Sequence, residues 1–450
     1  MSADTVRLIR PRTYEETVTA VQRCGARGGI ARGLGRAPGD AARNAGGAVL
    51  DMTGLDRIHA VDADDGTVLC DAGVPLHRLA EALLPLGWFP PVLPGTRSTT
   101  VGGAIGADVH GRNHPVAGSF ARHVLALELL TADGRIVSAL PGTDLFDATT
   151  GGLGLTGVIL TATLRLQPVE TALMSVDTER ATDLDDLLTR MTATGHPYTS
   201  ARIDPLARGA ATGRAVLTRA DHAPPTALRG GTRAWRDALA PGAALRTRPR
   251  LPAGLLGRHA MSLRNELWYR AAPRARTGRL QRVPAFFHPG DGARVPAFFH
   301  PGDGARVPAF FRPGDGARGG AVRYQFALPY GEEETLRRIV RWVSGRRCPS
   351  FPAVLTRFGE ADPGWLSFPV PGWGLALDLP PGLPGLAAFL DALDEEVARA
   401  GGRVCLAKDA RLRPDLLAAM YPRLADFRAL RAELDPRALF TSDLSRRLGL

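Results

Sequence analysis

Between Pro94 and His114 the chain reads P-G-T-R-S-T-T-V-G-G-A-I-G-A-D-V-H-G-R-N-H. It opens on a Pro-Gly turn, carries five glycines in its first eighteen residues, and has few bulky side chains at its start. Such a backbone can bring its N–H groups close to an anionic group, a pyrophosphate for instance, without side chains in the way. His110, Arg112 and His114 follow at once. A glycine cradle joined to titratable side chains is the pattern of a cofactor site with chemistry beside it. On residue types alone it is equally the pattern of a glycine-rich crossover loop.

Composition narrows the field. A chain of 450 residues has material for two or three domains. Its 44% hydrophobic and 22% charged residues are ordinary for a globular protein and argue against overall disorder. There is no apolar run of about eighteen residues, and Met1–Ala20 is punctuated by Asp4, Arg7, Arg10, Arg12, Glu15 and Glu16. Neither a spanning helix nor a secretory signal is expected, which implies a cytoplasmic protein or one peripheral to the inner membrane face. Cys24, Cys70, Cys348 and Cys405 lack metal or redox spacing and read as free thiols. The net charge is +11, yet all 56 basic residues but one, Lys408, are arginine. That imbalance points to an arginine-for-lysine bias of the genome rather than a designed basic face. Anionic headgroups would gain about 1 kcal/mol per basic residue near the surface. Nucleic-acid binding is not expected, since the arginines are dispersed and no recognition motif accompanies them.

Taken in order, Thr13–Gly25 reads as a helix capped by Thr13. Arg32-Gly-Leu-Gly-Arg-Ala-Pro-Gly-Asp40 is a glycine loop that misses both the dinucleotide and the Walker spacings. Strands are expected at Ala48–Met52, Ile58–Asp62 and Thr67–Asp71, the last two forming a hairpin about Asp64-Asp-Gly66. Pro75–Leu86 has a helical apolar face, and a second hairpin joins His123–Leu130 to Arg135–Leu140. A helical turn at Leu145, a third glycine loop at Gly151-Gly-Leu-Gly154 and a strand at Gly157–Leu166 follow. Residues 205–260 are rich in Ala, Arg, Pro and Gly and suggest irregular structure. From Arg282, R-V-P-A-F-F-H-P-G-D-G-A occurs three times, with Arg312 for His300 in the last copy; too short for a solenoid, it reads as a tandem duplication in a loop. Strands are then expected at Val322–Leu328, Leu366–Pro371, Leu375–Leu379 and Val404–Ala407, and helices at Tyr330–Gly345, Leu386–Ala400 and Asp415–Leu434.

Lys408 is the first candidate for chemistry. Where arginine fills every other basic position, a lone lysine reads either as a place for a compact donor whose pKa can fall on burial, so that it exchanges protons, or equally as a chance survivor. His110 and His114 come next, each equally readable as a packed or capping residue. No Ser-His-Asp context, H-E-x-x-H or C-x-x-C is present.

Arg32-Gly-Leu-Gly-Arg36, Pro94-Gly-Thr96, Thr100-Val-Gly-Gly-Ala-Ile105, His110-Gly-Arg-Asn-His114 and Gly151-Gly-Leu-Gly-Leu-Thr-Gly157 together resemble the flavin-dependent oxidases of the vanillyl-alcohol-oxidase type. Further matches occur at Leu50-Asp-Met-Thr53, Leu130-Thr-Ala-Asp-Gly134, Glu266-Leu-Trp-Tyr-Arg270, Tyr324-Gln-Phe326, Leu366-Ser-Phe-Pro-Val-Pro-Gly-Trp373, Ala407-Lys-Asp409, Met420-Tyr-Pro-Arg423 and Ser442-Asp443. These resemble the branch that acts on polyprenyl-phosphoryl ribose in actinobacterial cell-wall arabinan synthesis. The likeness covers nearly the whole chain; residues 175–260 and the triple repeat match poorly.

The resemblance implies an α+β fold with a two-part FAD-binding domain, residues 1–173 and 403–450, and an inserted substrate cap on an antiparallel sheet, residues 174–402. It implies that FAD contacts Arg32, Gly33, Leu34, Gly35 and Arg36 of the first loop, then Gly95 and Thr96, and then Thr100, Val101, Gly102 and Gly103. The N–H groups of Gly33–Arg36 and Thr100–Gly103 would face the pyrophosphate. Ala107, His110, Ile159 and Cys405 complete the implied cofactor contacts. Lys408 would orient or deprotonate the sugar hydroxyl with His110 beside it, and Arg112 and Gln325 would hold polar groups of the substrate. No metal is implied. The flavin-bearing histidine of covalent relatives is replaced by Arg36, so FAD is expected to be non-covalent. An NADH-dependent keto-reductase is the implied partner. Pro38 replaces a usual aromatic, Cys405 a flavin-side tyrosine, and Ala376 a pocket cysteine. The alternative on the same scaffold is an oxidase of soluble sugar alcohols or aldonolactones. A flavin-free protein that binds anionic lipid or nucleic acid through its arginines is the rival of another class.

Overall fold

The computed structural model describes residues 6–193, 195–227, 258–287, 322–346, 353–381 and 383–450. The N-terminal part begins with a parallel sheet in which Ala48–Asp51 lies between Arg7–Ile9 and Gly29–Arg32. The helix Tyr14–Gln22 connects the two edges, and the Thr13 hydroxyl accepts the Glu16 N–H at its start. An antiparallel sheet follows, in the order Ile58–Asp62, Thr67–Asp71, Val158–Arg165, Val124–Leu130, Ile136–Ala139. Both hairpins read from the sequence are present, closing at Asp62↔Thr67 and Leu130↔Ile136. The helix Leu76–Leu83 buries Leu76, Leu79, Ala80 and Leu83, the face its spacing predicted.

The middle of the chain builds an antiparallel sheet of eight described strands. Its order is Ala275–Arg282, Leu173–Ala181, Ala215–His222, Tyr198–Ile203, Ala353–Phe358, Gly372–Leu379, Val322–Pro329, Arg403–Val404. The period of two along each strand divides its faces. Tyr324, Phe326, Leu355, Leu375, Leu377, Ala201 and Ile203 turn to one side. There they share a core with Leu187 and Met191, Leu336 and Ile339, and Leu390 and Leu393 of the helices Leu184–Thr192, Glu333–Gly345 and Leu386–Arg399. The opposite face, with Gln325, Ala376, Val354 and Arg202, looks onto the cavity described below.

Several expectations are corrected. The compositional reading of residues 205–260 as irregular fails at Ala215–His222, which pairs along its whole length with Leu173–Ala181; its A-V-L-T-R-A pattern is short but buries Ala215, Leu217 and Ala220. Leu366–Pro371 forms no strand, since Pro369 and Pro371 cannot donate to a ladder. The helix expected from Tyr330 starts at Glu333, and the tail helix is two, Pro414–Met420 and Leu424–Leu434. Val404–Ala407 shrinks to the strand Arg403–Val404 and a single turn, Leu406–Lys408. That strand pairs with Val322–Pro329, so the C-terminal segment is stitched to the cap sheet before it returns to the N-terminal part. In the first repeat copy Val283–Phe287 is helical, with Phe286 and Phe287 buried, rather than loop; the later copies lie outside the described residues. Cys24, Cys70 and Cys405 are free and buried, and Cys348 lies outside the described residues.

Candidate active site

A cavity of about 560 Å³ runs between the N-terminal part and the cap sheet. One wall is glycine. Gly33 packs so tightly on the Pro94–His114 stretch that an added Cβ would stand 2.1 Å from Thr100 Oγ1. Gly35 has φ +65°, the left-handed region that glycine enters without cost. Gly154 and Gly157 of the third loop complete this wall, beside Ile159.

The Pro94–His114 stretch is not all loop: Val101–Gly106 is a helical turn capped by the Thr100 side chain. This alters which N–H groups remain for a ligand. Val101 N donates to Val74 O at 2.9 Å and Gly102 N to Ala72 O at 2.7 Å, while Gly103 N donates to Thr100 Oγ1 at 3.2 Å. Three of the N–H groups expected to face a pyrophosphate are therefore occupied by the fold. Among the described hydrogen bonds none uses the N–H of Gly33, Leu34, Gly35 or Arg36, so the first loop keeps the free donors.

Elsewhere on the cavity lining three polar side chains form a chain of hydrogen bonds. Gln325, 4% exposed, stands on the cap sheet; its Oε1 accepts from Lys408 Nζ, and its Nε2 lies 3.0 Å from His110 Nε2. The amide nitrogen can only donate, so His110 Nε2 accepts, and a neutral imidazole carries its proton on Nδ1. Burial, then the nearby Lys408 and His114, hold the His110 imidazole well below its usual pKa, consistent with that neutral form. The ring is fixed by Phe358 and Phe368, at centroid distances of 5.0 and 5.4 Å. Phe368 belongs to the segment that failed to form a strand. Lys408 is half-buried against the cavity, and burial lowers its pKa below the usual lysine range. Its backbone is placed by Lys408 N→Cys405 O at 3.0 Å and Cys405 N→Gln325 O at 2.9 Å.

The surrounding charges are structural. His114 accepts the Gly359 N–H on Nδ1 and binds Asp362 through Nε2 at 2.8 Å; Asp362 also receives Arg122 Nε at 2.7 Å. His114 thus fastens the cap loop to the N-terminal part and stands apart from the cavity lining. Buried Asp108, at φ +37°, accepts the Ala121 N–H and bonds Ser367. Asp40 ends the first glycine loop. Arg447 grips both its oxygens at 3.0 Å and reaches Asp409 Oδ2 at 2.8 Å. This clamp sets the residue next to Lys408 against the first loop. Gly39 confirms the closeness, since an added Cβ would fall 1.8 Å from Asp409 O. Gly39→Ala is expected to displace the Lys408 turn at a cost of about 1–3 kcal/mol, measured as a lowered melting temperature with weaker flavin retention; an unchanged Tm would show that the loop yields freely.

Of the residues singled out from the sequence, Arg32, Gly33, Leu34, Gly35, Arg36, Gly95 and Thr96 line the cavity, as do Thr100, Gly102, Gly103, Ala107, His110, Arg112, Ile159, Gln325, Cys405 and Lys408. Val101 does not: it is buried in the core under the second loop. The sequence reading missed Arg202, Phe287, Arg323, Thr356 and Asp378, which also line it. Four of these five stand on cap strands, where period-two alternation was the available signal. Ala376 and Cys405, two of the departures from the flavin-oxidase pattern, both line the cavity, as does Pro38. Among the described residues no cluster of His, Cys, Asp or Glu is arranged to hold a metal.

Residues 6–140 match the FAD binding domain family, and residues 379–448 match the D-arabinono-1,4-lactone oxidase family. The donor-rich glycine loop, the cavity of about 560 Å³ and the Lys408–Gln325–His110 chain on its lining fit a flavin dinucleotide, and the protein is an FAD-dependent oxidoreductase of the class acting on CH–OH groups. The decaprenylphosphoryl-β-D-ribose oxidase of Mycolicibacterium smegmatis is 39% identical over 448 residues, covering 98% of this chain and 93% of that protein. The chain belongs to that oxidase family. It is also 54% identical over 388 residues to an uncharacterized protein of Streptomyces coelicolor, covering 84% of this chain and 100% of that one. L-gulonolactone oxidase of Mus musculus is 35% identical over 164 residues, about a third of either chain.

Proposed function

We propose that this protein oxidises the 2′-hydroxyl of a polyprenyl-phosphoryl-β-D-ribose to the 2′-keto sugar. The observation that carries the reading is the Lys408–Gln325–His110 chain on the lining of the flavin-sized cavity. FAD, when bound, supplies the two-electron acceptor for the hydride leaving C2′. The protein's own groups do the rest. The hydroxyl proton passes to the Lys408 amine, and the burial that lowers its pKa below the usual lysine range favours the neutral form that accepts it. Gln325 bridges Lys408 and His110 and fixes both, and neutral His110 presents a ring held by two phenylalanines. The product C=O forms as the C–H and O–H bonds break, so one hydride and one proton leave together.

The first-loop N–H groups and Arg32 and Arg36 hold the cofactor, with Arg36 where covalent relatives carry histidine. FAD is therefore dissociable: acid precipitation should release the yellow colour into the supernatant, and flavin retained on the pellet would refute it. The keto sugar is the half-way product of an epimerisation to the arabinose donor for cell-wall arabinan, completed by an NADH-dependent keto-reductase. The lipid tail of the substrate brings the enzyme to the inner membrane face; no described helix is long and apolar enough to cross a membrane.

The lactone-oxidase match over residues 379–448 supports a second reading, oxidation of a soluble polyol or aldonolactone. Anaerobic bleaching of the flavin by polyprenyl-phosphoryl ribose but not by soluble polyols or lactones is the expected result. Bleaching only by the soluble compounds would transfer the assignment.

A further inference from the structure

Behind the cavity wall, the segment that formed no strand connects the two halves of the chemistry. Leu366, Ser367 and Phe368 are all buried. The Ser367 hydroxyl donates to Asp108 Oδ2, two residues before His110. Its carbonyl accepts Arg403 Nη1 at 2.7 Å, on the strand that runs on to Cys405 and the Lys408 turn. The next residue, Phe368, lays its ring against the His110 imidazole at 5.4 Å. The third glycine loop presses on the same place, since a Cβ added to Gly151 would fall 3.1 Å from Ser367 N. One serine therefore touches the His110 stretch, the Lys408 stretch and a glycine wall.

Asp108 is shaped for its side of this link. Its φ of +37° lies in the left-handed region, which Asp and Asn enter more readily than other residues with a side chain. The Asp108 N–H donates to Ile105 O at 3.0 Å, and Oδ1 accepts the Ala121 N–H at 3.0 Å. Val109 O then accepts the Phe120 N–H at 2.9 Å, and His110 bridges Ser119. The turn so fixed delivers His110 to the cavity lining. The position is costly. Burial, then the neighbouring Asp362, pushes the Asp108 carboxyl up to about 7, on a backbone already in a sparsely populated region. Such residues persist where their surroundings over-determine them, and they cluster at active sites.

We propose that Asp108, acting through Ser367, is a positioning residue that sets the separation of His110 and Lys408. Gln325 joins these two groups across the cavity lining, but it can hold both bonds only when each partner is already in place. The Asp108–Ser367–Arg403 chain supplies that placement from behind: Arg403 leads to Cys405, whose N–H donates to Gln325 O and whose carbonyl accepts Lys408 N. The proposal rests on the reading of Lys408 and His110 as the working groups. A misplacement of about 1 Å at such groups costs about a hundredfold in rate.

The test uses the holoenzyme with farnesyl-phosphoryl-β-D-ribose. Anaerobic flavin reduction reads the chemistry, and visible circular dichroism of the bound flavin reads its surroundings without turnover. Ser367→Ala removes the hydroxyl. Asp108→Gly removes the carboxyl and keeps the left-handed turn, which glycine enters freely. Each is expected to lower the saturating reduction rate about ten- to hundredfold and to alter the dichroism, with FAD content and half-saturating concentration unchanged. The double variant should lose no more than Asp108→Gly alone, since one link is cut in both. Asp108→Asn should restore the parent rate, because its amide oxygen accepts from Ala121 and its nitrogen donates to Ser367 Oγ. A parent-like rate and dichroism in Ser367→Ala would overturn the proposal. So would losses that multiply in the double variant, or a loss confined to FAD content or half-saturation. If the parent does not oxidise this substrate, the substrate reading falls and the dichroism alone decides: a band altered in Ser367→Ala and restored in Asp108→Asn upholds the link, and an unaltered band ends it.

Discussion

Lys408→Met is expected to lower the rate of flavin reduction by about 10²–10⁴-fold, the range for removal of a positioned base. FAD content and melting temperature should stay near those of the parent, because the methionine keeps the apolar stem and Gln325 Oε1 faces a cavity that water can enter. The pH profile separates a base from a structural lysine. Proton transfer to Lys408 requires its neutral form, and burial lowers its pKa below the usual lysine range. The parent rate should therefore rise with pH as Lys408 loses its proton and level off above that point. In the methionine variant the limb should vanish. Near-full turnover in Lys408→Met with FAD bound would remove Lys408 from the mechanism.

Arg447→Met should be the most damaging change outside the cavity. The Asp409 side chain is 4% exposed, and Arg447 is the guanidinium that ion-pairs with both it and Asp40, while the Arg411 and Leu412 N–H groups also donate to Asp409. Burial raises the Asp40 carboxyl above its ordinary pKa even with Arg447 present, so the pair is held at some cost. Burial also works against the Arg447 charge, yet the two carboxylates keep its pKa above the usual value. Removing one partner of such a buried group typically costs about 3–5 kcal/mol, because the remaining charges are stranded. Denaturant unfolding should show a loss in that range, together with weaker flavin retention, as Asp40 closes the first loop and Asp409 adjoins Lys408. Combining Arg447→Met with Asp40→Asn should recover part of the loss, since the two sites share one interaction. A loss below about 1 kcal/mol in the single variant would mean that the clamp is incidental.

The parts of the fold legible in the sequence were those set by local pattern. Both N-terminal hairpins carried Asp-Gly or Asp-Asp-Gly turns, and Leu76–Leu83 carried a helical apolar stripe. Lys408 stood out because it is unique among the basic residues. Arg202 had no such mark. In a chain where nearly every cation is arginine, one more arginine carries no signal, and only the register Gln325–Ala376–Val354–Arg202 reveals it. Ala215–His222 was hidden by a composition rich in Ala and Arg, although its alternation was intact. Leu366–Pro371 erred the other way: its apolar run resembles a strand, but two prolines leave it to pack Phe368 on His110 instead. The free N–H groups of the first loop and the occupied ones of the second could not be told apart by glycine content, because Ala72 and Val74, which claim the latter, lie about thirty residues upstream.

The stitching of Arg403–Val404 into the cap sheet, followed by the return of Arg447 to Asp40, has a consequence for birth on the ribosome. The glycine wall of the flavin groove is contributed by residues up to Gly157, whereas Lys408 and the Arg447 clamp follow about 250 residues or more later. A contact spanning 407 residues cannot form during most of elongation. Until Arg447 has been made, the nascent protein exposes an unfinished trough, the kind of surface that chaperones guard. A truncation upstream of Lys408 is expected to leave the glycine-lined scaffold without the proposed proton acceptor.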